Sequence, residues 1–163
     1  MDEIRVRATQ PADLDFVLRA EADPENRRFI LPWERTQHAG ALQDRDLAHW
    51  VVERSTDATR VGFVLLAGLT NQHASLEFRR VVVVEQGHGY GRRVVRLVKR
   101  FAFEEREAHR LWLDVLEDNQ RARGLYLSEG FVEEGRLREA VWTGERYASL
   151  VLMAMLASEY AAA

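Results

Sequence analysis

The sequence predicts an α+β fold (mixed α/β), as one domain over residues 1–163. We expect a mixed, mostly antiparallel sheet of about seven strands flanked by about four helices. The length of 163 residues suits a single core. Hydrophobic residues make up 47% and charged residues 30% of the chain, the balance of an ordinary globular protein. Stretches with the two-residue period of strands and stretches with the helical period follow one another along the chain.

The N-terminal third predicts one strand and two helices. Residues 4–8 alternate apolar and charged side chains, as a half-buried strand does. Residues 9–13 offer a helix N-cap followed by an early proline, so we expect a helix that ends near Pro24. A second helix is predicted over residues 39–50 from the spacing of its apolar side chains.

Three strands should follow these helices. Residues 51–55 indicate a short strand, and two long apolar runs at 61–69 and 74–84 indicate neighbouring central strands. The turn at residues 70–73 should join the two central strands as a hairpin. Because these connections are short, we expect antiparallel pairing.

The C-terminal half alternates helices and strands. A helix that starts at Tyr90 has one apolar and one basic face. The remaining predicted elements are a strand at 111–116, a helix at 119–129, and strands from Phe131 onwards and at 147–156. Since a helix separates the fourth strand from the fifth, these two strands should be parallel.

The sharpest local signal is a glycine-rich turn between the fourth strand and the helix that follows it. The turn reads Gln86-Gly87-His88-Gly89-Tyr90-Gly91. Glycines let the main chain approach a ligand, and the unpaired N–H groups at a helix start attract phosphate oxygens. The turn therefore predicts an anion site. Arg92, Arg93 and Arg96 could neutralise further phosphate charge, or they could form a solvated basic face.

Two other phosphate-binding motifs also place glycines between a strand and a helix. A P-loop is excluded, because Gly91 is followed by Arg92 and Arg93 and not by Lys and then Ser or Thr. A dinucleotide-binding fold is disfavoured, because Arg92 stands where a third glycine is needed and only one βαβ unit is predicted.

Two blocks of residues carry a family resemblance. The turn at 86–91 resembles the Gln/Arg-x-x-Gly-x-Gly/Ala signature of the GNAT superfamily of acyl-CoA-dependent N-acyltransferases. Residues 119–126, followed by 129–135, are similar to the superfamily's Asn-x-x-Ala-x-x-Leu-Tyr and Gly-Phe block. The resemblance covers residues 77–135. Within the superfamily it is nearest to the branch that includes the ribosomal-protein N-terminal acetyltransferases.

The resemblance implies a sheet splayed between strands 4 and 5, with the pantetheine of acetyl-CoA lying in the gap. The pantetheine would pair with the backbone of strand 4 at Val81, Val82 and Val83. The residues that would hold the pyrophosphate are Gln86, Gly87, His88, Gly89, Tyr90, Gly91 and Arg92. By the same resemblance Asn119 contacts the cofactor arm, although it is also an N-cap candidate for its helix.

The reaction that the resemblance implies is direct attack of a neutral amine on the thioester, which needs an acid and a base. Tyr126 would sit near the thioester sulfur and protonate the leaving thiolate, or it could be a packing residue. Glu77 on strand 4 is the candidate base, as a carboxylate on this strand is in some relatives. An exposed strand residue with no catalytic role explains Glu77 equally well.

Composition excludes several classes of function. The chain has no cysteine, which removes disulfides and thiolate zinc sites, and its five histidines show no metal-ligand spacing, so we expect no metal. A net charge of -3 argues against nucleic-acid binding as the function. A charged N-terminus and the lack of a long apolar run predict no membrane segment and a cytoplasmic protein. The final apolar strand could pair across a homodimer if it lies at a sheet edge, or it could be buried in the monomer.

The acceptor is left open among a protein or peptide N-terminus, a polyamine, an aminoglycoside-like antibiotic and a small metabolite. Acceptor specificity should reside in residues 21–50 and 139–145, which carry no recognisable signature. Two other functions are weighed: a CoA-binding sensor module without catalysis, and a dinucleotide-binding oxidoreductase.

Overall fold

Seven strands form one sheet in the order β1-β2-β3-β4-β5-β7-β6 in the computed structural model of the protein, which describes residues 3–163. The strands are β1 (Ile4–Ala8), β2 (Ala48–Arg54), β3 (Arg60–Ala67), β4 (Ser75–Val83), β5 (Arg110–Leu116), β6 (Val132–Trp142) and β7 (Tyr147–Leu156). The helices are α1 (Leu14–Ala22), α2 (Pro24–Arg27), α3 (Arg35–Ala41), α4 (Tyr90–Arg100), α5 (Gln120–Ser128) and α6 (Ala157–Ala162). The predicted fold class, a mostly antiparallel mixed sheet, is confirmed.

β4 and β5 are the exception to antiparallel pairing in the described sheet. Their parallel pairing is limited to three positions, Ser75 with Arg110, Leu76 with Leu111 and Glu77 with Trp112. Beyond Glu77, β4 continues to Val83 beside β3, and β5 continues to Leu116 beside β7. The two strands therefore separate along their second halves.

Apolar side chains are buried on both faces of the sheet. Val81 and Val83 pack in a cluster with residues of α4 and α5, whereas Val82 packs with Val17 of α1 and Phe63 of β3. This alternation follows from the two-residue period of a strand. Because full burial of a Val or Leu contributes about 2 kcal/mol, the two layers hold β4 firmly between them.

The predicted helix over residues 39–50 is wrong in its second half. α3 ends at Ala41, and Trp50 belongs to β2, where its ring meets Phe101 edge-on with centroids 4.6 Å apart. In the connection, the Asp46 carboxylate accepts hydrogen bonds from the backbone of the β3–β4 hairpin. Long-range strand pairing has overridden a helical spacing of apolar residues.

Two short helices and the position of the last strand also differ from expectation. α2 and α6 carry the number of α-helices to six within residues 3–163, and α6 includes the first two of the three C-terminal alanines. β7 lies between β5 and β6, not at an edge. Pairing of β7 across a homodimer was expected only if β7 lay at a sheet edge, so that expectation does not apply. The apolar residues of β7 are explained by burial within the chain.

A chain of polar side chains is buried between the sheet and the N-terminal helices. Thr9 Oγ1 lies 2.8 Å from His49 Nδ1, and His49 Nε2 lies 3.0 Å from His38 Nδ1. His38 Nε2 lies 2.5 Å from Oε1 of Glu21, whose second oxygen is paired with Arg80. Thr9, His49, His38 and Glu21, which we call the histidine chain, are each at most 6% exposed. Such groups are tolerated in a core because each is hydrogen-bonded.

Protonation of His49 should weaken the fold in acid. Burial, with a smaller contribution from His38, lowers the pKa of His49 from 6.5 to about 4. Since the unfolded chain binds the proton at higher pH than the folded chain, stability should fall as the pH drops through this window. The free energy of unfolding should decrease by about 3 kcal/mol, as urea unfolding at several pH values will measure.

A pair of variants isolates this effect. His49→Gln should flatten the pH dependence between these two limits, whereas His73→Gln, at an exposed histidine, should preserve it. An unchanged slope in the His49 variant would show that other groups cause the acid sensitivity.

Candidate active site

A cleft of about 990 Å³ opens where β4 and β5 separate. Its lining includes β4 from Glu77 to Val83, the second half of β5, the glycine-rich turn and one side of α5. The predicted site residues that line it are Glu77, Val81, Val82, Val83, Gln86, Gly87, Gly89, Tyr90, Gly91, Arg92, Asn119 and Tyr126. His88 is outside the lining, and its ring stacks on Tyr90 with centroids 5.3 Å apart.

The glycine-rich turn owes its shape to two left-handed residues. Gly87 has φ +83° and Gly89 has φ +74°, values that L side chains rarely adopt. A Cβ at either position would meet nothing within 4 Å, so these glycines are required by backbone conformation and not by lack of space. Gly89 is also the N-cap of α4 and provides no side-chain cap. The first N–H groups of α4 therefore remain available to an anion.

The edge of β4 that faces the cleft offers backbone groups to a ligand. Val81, Val82 and Val83 pair with β3 on one side, and their other side faces the gap left by β5. The carbonyl of Val83 accepts hydrogen bonds from the side-chain amides of Gln86 at 3.0 Å and Asn26 at 3.3 Å. These bonds tie the end of the strand to the glycine-rich turn and to α2.

Arg92 has protein partners of its own in this structure. Its guanidinium donates to Glu129 at 2.5 Å and to the Ser128 hydroxyl at 2.9 Å. Arg96 and Lys99 converge on the same carboxylate, which is almost fully buried. Burial by itself would raise the pKa of Glu129, but the hydrogen bonds from the three cations lower it below its ordinary value. Glu129 thus joins the end of α5 to α4, a role that its position in the sequence did not indicate.

Tyr126 projects from α5 into an apolar part of the cleft. It is 7% exposed, and its ring packs edge-on against Phe78 and Phe131, with centroids 6.1 and 5.7 Å away. This burial raises the pKa of Tyr126 above its usual value. The phenol is therefore protonated at neutral pH and can act as a proton donor.

Asn119 holds the start of α5. Its side-chain oxygen accepts a hydrogen bond from the backbone N–H of Ala122 at 3.2 Å, as an N-cap does. Asn119 also lines the cleft, so the capping role and the cofactor role that the sequence suggested are compatible.

Two carboxylates occupy the point where the strands begin to separate. Glu77 of β4 is mostly buried, at 16% side-chain exposure, and pairs with Arg79 at 2.7 Å. Asp114 of β5 lines the same cleft. Desolvation, reinforced by the negative charge of Glu77, raises the pKa of Asp114. Sequence reasoning missed Asp114, although a single acid within an apolar strand was a signal that could have found it.

No group of three or more His, Cys, Asp or Glu side chains within residues 3–163 is arranged to hold a metal ion. Over the same residues, none of the helices combines the length and the apolar character that crossing a bilayer requires.

Removing the charge of Glu129 should destabilise the fold. Glu129→Gln leaves Arg92, Arg96 and Lys99 facing one another, and we expect a loss of about 1–2 kcal/mol in the free energy of unfolding, because two of the cations are partly solvated. Urea midpoints will measure it. The control is Glu133→Gln, which breaks an exposed pair with Arg123 and should cost less than about 0.5 kcal/mol. Equal losses in the two variants would contradict the anchoring role.

Comparison with known proteins identifies the family. Residues 3–132 match the model of the family described as an acetyltransferase (GNAT) domain. A spermidine N(1)-acetyltransferase of Vibrio cholerae is 28% identical over 97% of this chain and 95% of its own length. The enzyme of that name from Escherichia coli K12 is 25% identical over 98% and 89%.

The similarity extends to three dimensions. The crystal structure of spermidine N-acetyltransferase from Vibrio cholerae in complex with CoA and spermine matches this fold with a TM-score of 0.87 and 26% identity. The match covers 97% of this chain and 98% of that one. These findings confirm the resemblance seen in the two sequence blocks, whereas placement in the branch of ribosomal-protein acetyltransferases stays a prediction. The chain belongs to the GNAT acetyltransferase family and is an acyl-CoA-dependent acetyltransferase.

Proposed function

We propose that this protein transfers the acetyl group of acetyl-CoA to a primary amine in the cleft between β4 and β5, and that a polyamine is its acceptor. The observation that carries the proposal is the convergence in one cleft of an anion-binding turn, a buried protonated tyrosine and two carboxylates. Residues 1–163 would form one catalytic domain, since all seven strands of the described chain share a single sheet.

The cofactor would lie along β4, with its pyrophosphate at the glycine-rich turn. The free N–H groups at the start of α4 suit the phosphate oxygens, and the edge at Val81–83 that no strand covers suits the amides of pantetheine. Arg92 would add charge from the rim while it remains paired with Glu129. Asn119 and Tyr126 line the opposite side, so the thioester would lie between β4 and α5.

The proposed chemistry is one acyl transfer without an enzyme-bound intermediate. The amine nitrogen attacks the thioester carbonyl carbon, a C–N bond forms and the C–S bond breaks. Tyr126 donates its phenolic proton to the departing thiolate. Glu77, directly or through a water molecule, takes the proton that the ammonium must lose before attack and passes it to solvent. The nitrogen loses a second proton as the amide forms, and this proton restores the Tyr126 phenol, so one proton is released in each turnover.

Two carboxylates near the point where the strands diverge support a cationic acceptor. Glu77 and Asp114 both line the cleft near the point where the strands diverge, and the negative charge of Glu77 adds to desolvation in raising the pKa of Asp114. A bound ammonium would relieve this repulsion. Arg79 neutralises part of the charge, so the acceptor would compete with its guanidinium for Glu77. The spermidine acetyltransferases similar to this chain support a polyamine over the other amines.

Binding of acetyl-CoA tests the cofactor half of the proposal. In calorimetric titration, Gly89→Asp should raise the Kd by at least about tenfold, because it strains a left-handed residue and places a negative charge at the start of α4. Gly144→Asp is the matched control, since Gly144 has φ +100° but lies in the β6–β7 turn outside the cleft. Failure of the wild-type protein to bind acetyl-CoA, or equal losses in both variants, would refute the site.

Transfer to amines tests the catalytic half. Thiol release with spermidine, an N-terminal peptide and an aminoglycoside as acceptors should be fastest with spermidine. Tyr126→Phe should lower kcat by about 10²-fold or more while leaving the Kd for acetyl-CoA unchanged, because only the proton donor is lost. Tyr147→Phe, at an exposed tyrosine, should behave as the wild type. Faster transfer to the peptide or the aminoglycoside would overturn the polyamine assignment, and wild-type turnover by Tyr126→Phe would remove Tyr126 as the acid.

A further inference from the structure

The histidine chain contacts a residue that lines the cleft. Glu21, its last member, pairs with the guanidinium of Arg80, and Arg80 lines the cleft. We propose that the histidine chain positions Arg80, and that Arg80 in turn fixes the acceptor side of the cleft for acyl transfer. This inference rests on the proposed function and assigns positioning roles to residues outside the reacting groups.

Arg80 lies next to a β-bulge in β4. The register of β4 against β3 shifts between the pairs Leu65–Arg80 and Leu66–Phe78, so Arg79 is an extra residue in a bulge. A bulge bends a strand and re-aims its side chains. Here it lies between the candidate base, Glu77, and the strand edge proposed for the cofactor. The orientation of Glu77 therefore depends on how β4 is held at Arg80.

The side chain of Arg80 is fixed by three different contacts. One terminal nitrogen pairs with Glu21, and the other donates to the Leu31 carbonyl at 2.7 Å. The guanidinium also lies over the Trp33 ring, 5.4 Å from its centroid. Leu31 belongs to the segment 28–31 that lines the cleft. Arg80 thus joins β4 to the acceptor-side wall of the cleft, and a planar guanidinium is the group that can make all three contacts at once.

The hydrogen bonds behind Glu21 run in one direction when Glu21 is a carboxylate and both imidazoles are neutral. With Glu21 ionised against Arg80, its oxygen must accept from Nε2–H of His38. His38 Nδ1 then accepts from Nε2–H of His49, and His49 Nδ1 accepts from the Thr9 hydroxyl. In that arrangement both imidazoles are Nε2–H tautomers. His38 and Arg80 each hold a different oxygen of Glu21, and these two contacts fix the orientation of the carboxylate against Arg80.

Packing alone does not account for such an arrangement. Apolar side chains of similar volume serve stability as well as, or better than, buried ion pairs and polar chains. A fully satisfied polar network gains instead a unique geometry, because each member restricts the next. The histidine chain connects β2, α3 and α1 to β4, so it fixes the position of the acceptor-side elements relative to the bulge.

Kinetics of Arg80→Lys tests the inference, since lysine keeps the charge but cannot make the three contacts. We expect kcat/KM for spermidine to fall by at least about tenfold, with the Kd for acetyl-CoA within about twofold of the wild type. Arg60→Lys is the matched control: Arg60 pairs with Asp13 at 3.3 Å and lies over the Phe16 ring at 5.3 Å, but it is outside the cleft. It should leave both constants unchanged.

Histidine ring ¹⁵N spectra of the wild type at pH 7 provide a readout that does not depend on activity. They should show Nε2–H tautomers for both His38 and His49. An Nδ1–H tautomer at His38 would overturn the inference, as would wild-type kinetics in Arg80→Lys or a parallel loss of acetyl-CoA binding in that variant. Absence of turnover in the wild-type protein would overturn the proposed function and this inference with it, whereas turnover unaffected by Arg80→Lys would overturn the inference alone.

Discussion

The parallel contact between β4 and β5 ends after three residue pairs, and the site depends on that early ending. Full pairing of the two strands would close the sheet and leave no edge for a ligand at Val81–83. Each strand can leave the other because it is supported elsewhere, β4 by β3 and by core on both faces, and β5 by β7. The cleft is thus a stable property of the fold and not a defect in its packing.

The cofactor half of the site could be predicted from sequence because its determinants are contiguous. A strand, two left-handed glycines and the start of α4 follow one another within residues 81–92, and the N-cap and tyrosine of α5 lie within eight residues of each other. Local rules of glycine conformation and helix termini apply directly to such segments. The same locality explains why the strands and helices after residue 51 agree closely with expectation.

The acceptor half could not be predicted, because its residues meet only through long-range contacts. Arg80 and Glu21 are 59 positions apart in the sequence, and His38 lies 17 from Glu21 and 11 from His49. The wrong helix over residues 39–50 has the same origin, since β2 is specified by its two neighbouring strands. The roles of Asp114 and Glu129 could not be predicted, because the residues that they interact with are distant in the sequence.

Hydrogen exchange with and without acetyl-CoA will show whether the gap between β4 and β5 is the cofactor site. We expect slower exchange on binding in two segments, residues 81–92 and the start of α5, with no change in residues 132–137 of the exposed strand β6. Protection that left residues 81–92 unaffected would contradict it, because the cofactor would then bind somewhere other than the edge that β5 leaves open.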